Sequence, residues 1–231
     1  MQTYTHSAAS TVGSSGAVLA LNVTNQSDFS NGDILVMHVG FTGGTGTQVT
    51  PPAGWTLRLR QDKGTDVGLA IYTKTASSEG ATWRWDFLPA ASCVASYGYI
   101  VGGNHQEPLG LLSGLENPSS TSQPTPPYRV GSFGTTAISA LCLSDNVTVT
   151  PPGGFTEKVD QGVSIAPKCA LFIGTQLHYD GQQVYMPGEA TASGAATGAA
   201  ISTVVEANLG IIERFISLSV PDATTIHVRV T

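Results

Sequence analysis

Hydrophobic and polar residues alternate with a period of two along much of this chain. The clearest case is residues 82–87, where Trp83, Trp85 and Phe87 share one face and polar residues occupy the other. Alternation of this kind predicts a half-buried β-strand. A strand with one aromatic face normally buries that face, so we interpret Trp83 and Trp85 first as core residues. An exposed aromatic platform for carbohydrate is the alternative.

Continuous apolar runs add further strands. Residues 34–39 are apolar except for His38, which is typical of a strand covered on both faces. Residues 190–200 are rich in Ala but contain Gly194 and Gly198, and they are interpreted as a loop or a small-residue strand. Further strands are predicted at residues 19–23, 69–74, 96–101, 138–143, 171–177 and 226–230, and residues 211–218 fit a strand at least as well as a helix. The fold prediction is all-β, an antiparallel β-sandwich of jelly-roll type.

One eight-residue sequence occurs twice. Val-Thr-Pro-Pro-Ala-Gly-Trp-Thr begins at Val49, and Val-Thr-Pro-Pro-Gly-Gly-Phe-Thr begins at Val149, 100 residues later. A repeat at this spacing indicates that one unit was duplicated. We therefore predict a first β-sandwich unit at residues 1–117 and a second at residues 118–208. Residues 118–127, rich in Pro, Ser and Thr, are the predicted linker. Residues 209–231 lie outside the repeat and are expected to contact a neighbouring subunit or complete a sheet.

The repeated residues predict a turn that places an aromatic side chain in the core. Pro52 suits the first central position of a tight turn, and Gly54 can adopt a positive φ. Trp55 then enters the core. The second copy has Pro152, Gly154 and Phe155 in the same roles. The alternative is that Trp55 stacks on a sugar, and the change to Phe155 in the second copy argues against it.

Composition narrows the possible partners. The chain has 231 residues, only 11% of them charged, and a net charge of −6 with ten Lys and Arg in total. These ten form no dense cluster, so we expect no nucleic-acid or membrane partner. The first residues lack the basic and apolar regions of a secretory signal, which favours synthesis in a cytoplasm. Cys93, Cys142 and Cys169 are odd in number, and we interpret them as buried free thiols.

A search for catalytic motifs favours a non-enzymatic protein without metal or cofactor. The sequence lacks a nucleophile elbow, a P-loop, a dinucleotide fingerprint and a zinc-protease motif. Its five histidines have no metal-ligand spacing. His105 stands in the most polar short cluster, His-Gln-Glu, within a predicted loop, and it is a candidate ligand contact beside Trp83 and Trp85. We interpret the segment around His105 first as a solvated connection, with the ligand contact as the alternative.

Three segments together resemble a β-sandwich module of bacteriophage structural proteins. They are Gly-Asp-Ile-Leu-Val at residues 32–36, the repeated sequence from Val49, and Leu-Ala-Ile-Tyr at residues 69–72. Similar modules occur in minor tail proteins, head-decorating proteins and gene-transfer particles, and the small-residue run 188–200 resembles the module's second half. The resemblance implies a virion protein made in the host cytoplasm.

A virion protein of this kind is expected to act as a capsid decoration, a head spike or a minor structural component. Its partners would be other virion proteins and further copies of itself in a homo-oligomer. The alternative is a tail-associated receptor-binding or carbohydrate-binding module that contacts a host-surface glycan. Specific recognition is expected where the two copies differ, at residues 61–68 and 188–200, and in the unrepeated segment that starts at Leu209.

Overall fold

The computed structural model describes residues 3–7, 9–102, 108–131, 134–179, 183–205, 216–219 and 225–228, the last two ranges as backbone only. Their regular structure is β-strand apart from one short 3-10 turn at Gly44–Gly46. All strand pairs are antiparallel. Sheets also pack face to face, so the prediction of an all-β protein with antiparallel sheets packed as a sandwich is confirmed. The jelly-roll connectivity stays a prediction.

The first half of the chain forms two sheets. The strands are β1 (Thr3–His6), β2 (Val12–Gly13), β3 (Val18–Thr24), β4 (Ile34–Thr42), β5 (Gln48–Thr50), β6 (Thr56–Lys63), β7 (Val67–Thr75), β8 (Thr82–Ala91) and β9 (Cys93–Val101). The larger sheet has the order β1-β9-β4-β7-β6, with β2 also beside β9, and we call it the first inner sheet because both of its faces are covered. The smaller sheet has the order β3-β8-β5, and we call it the outer sheet.

The second half forms a second inner sheet with smaller additions. Its strands are β10 (Ser113–Pro124), β11 (Tyr128–Val130), β12 (Thr135–Leu143), β13 (Val149–Thr150), β14 (Thr156–Val163), β15 (Cys169–His178), β16 (Gln183–Tyr185) and β17 (Glu189–Val205). The order is β10-β17-β12-β15-β14, with β13 beside β17, while β11 and β16 pair separately. β18 (Ile216–Ser219) and β19 (Thr225–Val228) form a further pair.

The two inner sheets pack face to face and share one core. Val36, Leu69 and Ile71 of the first sheet lie in the same buried cluster as Ile138 and Leu171 of the second, and each is at most 1% exposed. Burying each such side chain contributes roughly 1.5–3 kcal/mol relative to exposure. The two halves are therefore joined by apolar packing and not only by the connecting chain.

The opposite face of each inner sheet is also covered. In the first half, alternate residues of β4 such as Leu35 and Met37 pack against Trp85 and Phe87 of the outer sheet. In the second half, Leu141 and Phe172 pack against small residues from the beginning of β17, which include Ala192 and Ala196. Residues 190–200, expected as a loop or a small-residue strand, thus belong to a strand, and their small side chains let it pass close to the core.

The two inner sheets have matching strand orders. In order across each sheet, the first has β1, β9, β4, β7 and β6 where the second has β10, β17, β12, β15 and β14. They also share a register shift at the same place. The pairing of β6 with β7 shifts register between Leu57 and Leu59, and that of β14 with β15 shifts between Glu157 and Val159. One difference is that β17 occupies the places of both β8 and β9. A duplicated unit would produce such a matching order, and the duplication itself stays a prediction.

The predicted linker at residues 118–127 is wrong for most of its length. Strand β10 runs through to Pro124, and its two ends both pair with β17. The predicted boundary between residues 117 and 118 therefore falls inside a strand. Pro118 is accommodated because β10 is an edge strand whose register shifts between Asn117 and Ser120. The irregular connection begins only after Pro124.

Candidate functional site

The repeated turns have the same geometry in both halves. Gly54 and Gly154 each have φ of +85°. The amide of Trp55 donates to the carbonyl of Pro52 at 3.4 Å, and that of Phe155 donates to Pro152 at 3.1 Å. Each turn ends where strand β6 or β14 begins. The turns therefore fix where each aromatic side chain enters its sheet.

The structure places the aromatic residue of each turn in a core. Trp55 is 7% exposed and meets Trp83 edge to face, with ring centroids 5.5 Å apart. Phe155 is also 7% exposed and meets Tyr128 edge to face at 6.1 Å. Neither ring is available for stacking on a sugar from solvent.

Trp83 and Trp85 are core residues, so the candidate carbohydrate platform is not present. They are 4% and 0% exposed. The indole nitrogen of Trp83 donates to Glu79 Oε2 at 2.8 Å, and Lys74 Nζ lies 2.8 Å from the same oxygen. Burial acts to raise the pKa of Glu79, but the hydrogen bonds from Lys74 and Trp83 outweigh it and hold that pKa below its usual value. His105 lies outside the described residues.

A polar cleft of about 660 Å³ lies where the loops of the two halves meet. We call it the junction cleft and define it by Asp66, Asp145, Lys168 and Thr197 with adjoining loop residues. Thr197 Oγ1 donates to Asp66 Oδ2 at 3.1 Å, and Lys168 Nζ lies 3.2 Å from Asp145 Oδ1. The amide of Asn146, followed by Lys168, lowers the pKa of the Asp145 carboxyl.

The junction cleft contains parts of two segments that were expected to carry recognition. Asp66 belongs to residues 61–68 and Thr197 to residues 188–200. They are 131 residues apart in sequence and joined by a hydrogen bond. No sequence pattern predicts the contact between Asp66 and Thr197, because it depends on how one inner sheet packs on the other.

Two further pockets lie at corresponding places in the two halves. The Arg58 pocket, about 270 Å³, is lined by Thr56, Arg58 and Thr73 together with Ile34, Gly54, Lys74, Thr75 and Pro108. The Lys158 pocket, about 550 Å³, is lined by Thr156, Lys158 and Thr175 together with Gly154, Thr136, Gln176 and β1 residues. Neither Arg58 nor Lys158 was among the site residues predicted from the sequence. Extending the repeated sequence by two residues would have found Thr-Leu-Arg and Thr-Glu-Lys in matching positions.

Two histidines lie close to the interface of the inner sheets. His38 is fully buried, and neither of its ring nitrogens has a hydrogen-bond partner in the described part of the chain. Burial, with a smaller contribution from His6, lowers the pKa of His38 to about 3. His6 contacts Ser96 Oγ through Nε2 at 3.1 Å. Burial and then Lys158 lower the pKa of His6 to about 4, against an opposing effect of Asp28.

The three cysteines are buried and free. Although far apart in sequence, Cys142 and Cys169 are neighbours in the core between the inner sheets. The contact with Cys142 and burial both raise the pKa of the Cys169 thiol well above its usual value. Burial likewise raises the pKa of Cys93, to about 12. Cys93 and Cys169 therefore stay protonated at neutral pH, and all three buried cysteines act as small apolar core residues.

Within the described ranges, no three His, Cys, Asp or Glu side chains come together as a metal-binding group. Nor do those ranges include a helix with the length and apolar character needed to cross a bilayer. Comparison with protein-family models, with curated protein sequences and with solved structures finds no match for this chain.

Proposed function

We propose that this chain is a non-enzymatic structural protein of a bacteriophage particle, acting as a capsid decoration, a head spike or a minor structural component. The resemblance of its repeated segments to phage β-sandwich modules supports the class of particle. A rigid block of packed sheets with a small charged fraction suits a subunit of a symmetric assembly. On this proposal the chain functions as a homo-oligomer in contact with other virion proteins.

The observation that carries the proposal is the pairing of β18 and β19. In the described part of the chain these strands pair only with each other. Their register matches Ile216 with Val228 and Leu218 with Ile226, so apolar residues occupy paired positions at alternate places. An isolated two-stranded hairpin is marginally stable in water and needs a surface to pack on. We assign that surface to a neighbouring subunit.

Deleting residues 206–231 tests the assembly role. The shortened chain keeps both inner sheets, so it is expected to fold with an unchanged β-sheet circular dichroism spectrum. Sedimentation velocity is expected to show an oligomer for the full chain and a monomer for the shortened one. A full chain that sediments as a monomer, or a shortened chain that keeps the oligomer, would contradict this role for the hairpin.

Location on a particle needs a separate experiment. Purified phage particles from cells that carry this gene are expected to contain the chain by mass spectrometry. Gold-labelled antibody viewed by electron microscopy would distinguish the head from the tail. Presence of the chain in the lysate but not in washed particles would contradict the virion proposal.

The junction cleft favours a second candidate, a glycan-binding adhesion module. Its carboxylates and hydroxyls, among them Asp66 and Thr197, are groups that can hydrogen-bond to sugar hydroxyls. Asp66→Ala is expected to remove binding on an array of bacterial surface glycans, whereas Asp86→Ala, on an exposed strand position outside the cleft, is expected to keep it. An array without any bound glycan would contradict this candidate.

A further inference from the structure

The Arg58 and Lys158 pockets are the same structural feature built twice. Thr56 pairs across the strands with Thr73, and Thr156 pairs with Thr175. Gly54 and Gly154, with equal φ, stand two residues before each first threonine. Each pocket is therefore lined by a cross-strand threonine pair and by the glycine of a repeated turn.

The basic residue of each pocket lies at a β-bulge. On the neighbouring strand, Tyr72 pairs with Leu57 and Ile71 with Leu59, which leaves Arg58 as the extra residue. In the second half, Gly174 pairs with Glu157 and Ile173 with Val159, which leaves Lys158 as the extra residue. Bulges redirect a side chain and occur often beside functional sites. Both copies use the bulge to place a cation next to two threonine hydroxyls.

Arg58 and Lys158 lack the carboxylate partner that most of the described Lys and Arg residues have. Among the described residues, every Lys and Arg forms an ion pair with Asp or Glu except Arg58, Lys158 and Arg129. Two of these three exceptions occupy the matching pockets. In a chain with a net charge of −6, an unpaired cation kept at the same place in both halves indicates that an external anion supplies its counter-charge.

The hydrogen-bond donors that stay unused in the two pockets also favour an anion as the ligand. Arg58 donates through Nε to Thr73 Oγ1 at 2.6 Å, and no described residue accepts from its two terminal nitrogens. Those nitrogens form a planar fork that suits an oxyanion. In the other pocket, Lys158 supplies a point charge, and Thr156 and Thr175 supply hydroxyl donors.

We propose that each half of this protein binds one small oxyanion, held by Arg58 with Thr56 in the first half and by Lys158 with Thr156 and Thr175 in the second. The shared chemistry is a carboxylate, sulfate or phosphate group on a small molecule or at the end of a glycan. The Lys158 pocket, about twice as large, accepts the bulkier group. This inference does not depend on a role in a particle.

The test is titration of the ¹⁵N-labelled full chain with sodium sulfate, phosphate, acetate or glucuronate, with chloride adjusted to constant ionic strength. Amide shifts of Thr56 and Thr156 report the two pockets separately. We expect two saturable sites per chain with half-saturation on the order of 1–10 mM for the preferred anion. Stronger binding of the carboxylates identifies an acidic sugar or other organic acid as the natural source, and stronger binding of sulfate or phosphate identifies an ester.

Matched variants make the test specific. Arg58→Gln is expected to weaken binding at least tenfold at the first pocket only, and Lys158→Gln at the second only. Arg129→Gln removes the third described cation that has no ion pair, and it is expected to leave both sites intact. Arg58→Lys and Lys158→Arg keep the charge, so they are expected to retain binding and to control for folding. Absence of saturable binding by all four anions, or equal loss in Arg129→Gln, would overturn the proposal.

Discussion

At the scale of single residues, the aromatic side chain after each repeated turn acts as a structural anchor. Trp55 contacts Trp83 and Trp85, with ring centroids 5.5 and 5.6 Å away. Its indole nitrogen is buried without a hydrogen-bond partner among the described residues. The ring therefore contributes through packing and not through a polar contact, and Phe155 performs the same task in the second half.

Removing either anchor is expected to destabilise the protein strongly. Trp55→Ala and Phe155→Ala should each lower the free energy of unfolding by about 3–5 kcal/mol, because each leaves a cavity in a packed core. Trp55→Phe is expected to cost clearly less, since the lost indole nitrogen makes no hydrogen bond. Urea unfolding followed by circular dichroism measures these changes. An unchanged midpoint for Trp55→Ala would mean that the side chain is exposed.

The buried histidines predict loss of stability in acid. The folded-state pKa values of His38 and His6, about 3 and about 4, lie below the ordinary value of 6.5. At pH values between the folded-state pKa of each histidine and 6.5, the unfolded chain binds more protons than the folded chain. The free energy of unfolding therefore falls as the pH falls from about 6.5. Each pKa unit corresponds to about 1.4 kcal/mol, and the combined loss near pH 4 amounts to several kcal/mol.

His38→Leu provides the control for this acid sensitivity. It removes a titrating group and a buried polar side chain, so the variant is expected to show a flatter dependence of stability on pH between 4 and 6.5. Urea midpoints measured across that range give the comparison. An identical slope in the wild type and the variant would show that His38 does not contribute.

At the scale of strands, the inner sheets approach each other closely where β4 faces β12. A Cβ atom placed on Gly40 would lie 2.9 Å from Cys142 Sγ. Glycine is therefore required at this position by the neighbouring sheet and not by a turn. The close approach is one place where the two halves fit together.

The close approach predicts an energetic coupling between the sheets. Gly40→Ala is expected to cost about 1–3 kcal/mol of stability through overpacking, and less in a Cys142→Ala background. Gly46→Ala is the matched control, since a Cβ there meets nothing within 4 Å. A double-mutant cycle on urea unfolding gives the coupling energy, and strictly additive costs would show that the sheets adjust independently.

At the scale of the whole molecule, the shared core makes the two halves one cooperative unit. The buried cluster between the inner sheets includes residues of both halves, such as Ile71 and Leu171. Separating the halves would expose this apolar face to water. The two halves are therefore expected to behave as a single folded body, because neither can be removed without uncovering the core that they share.

A single unfolding transition is the expected consequence. The three tryptophans, Trp55, Trp83 and Trp85, all lie in the first half, so their fluorescence reports that half alone. Far-ultraviolet circular dichroism reports both halves. The two signals are expected to give the same urea midpoint. A fluorescence transition displaced from the circular dichroism transition would show that the halves unfold separately.

Much of the fold could be predicted from local patterns. Alternation located β8 around Trp83 and Trp85, and a continuous apolar run located β4, because a strand's period of two and its burial are both visible in sequence. The linker prediction at residues 118–127 was wrong because prolines are also tolerated in an edge strand. Leu19 of β3 is 61% exposed although Leu21 and Val23 on the same strand are buried, and the register of β3 with β8 shifts between Val18 and Ala20.

The sequence by itself determined the class of fold, the repeated turns and their aromatic anchors, because all of these depend on residues close together in the chain. Only the tertiary structure decided that the inner sheets share one core and that Asp66 meets Thr197. It also placed Arg58 and Lys158 at matching bulges beside threonine pairs. Pairing register and sheet packing join residues distant in sequence, and no local pattern specifies which of them will meet.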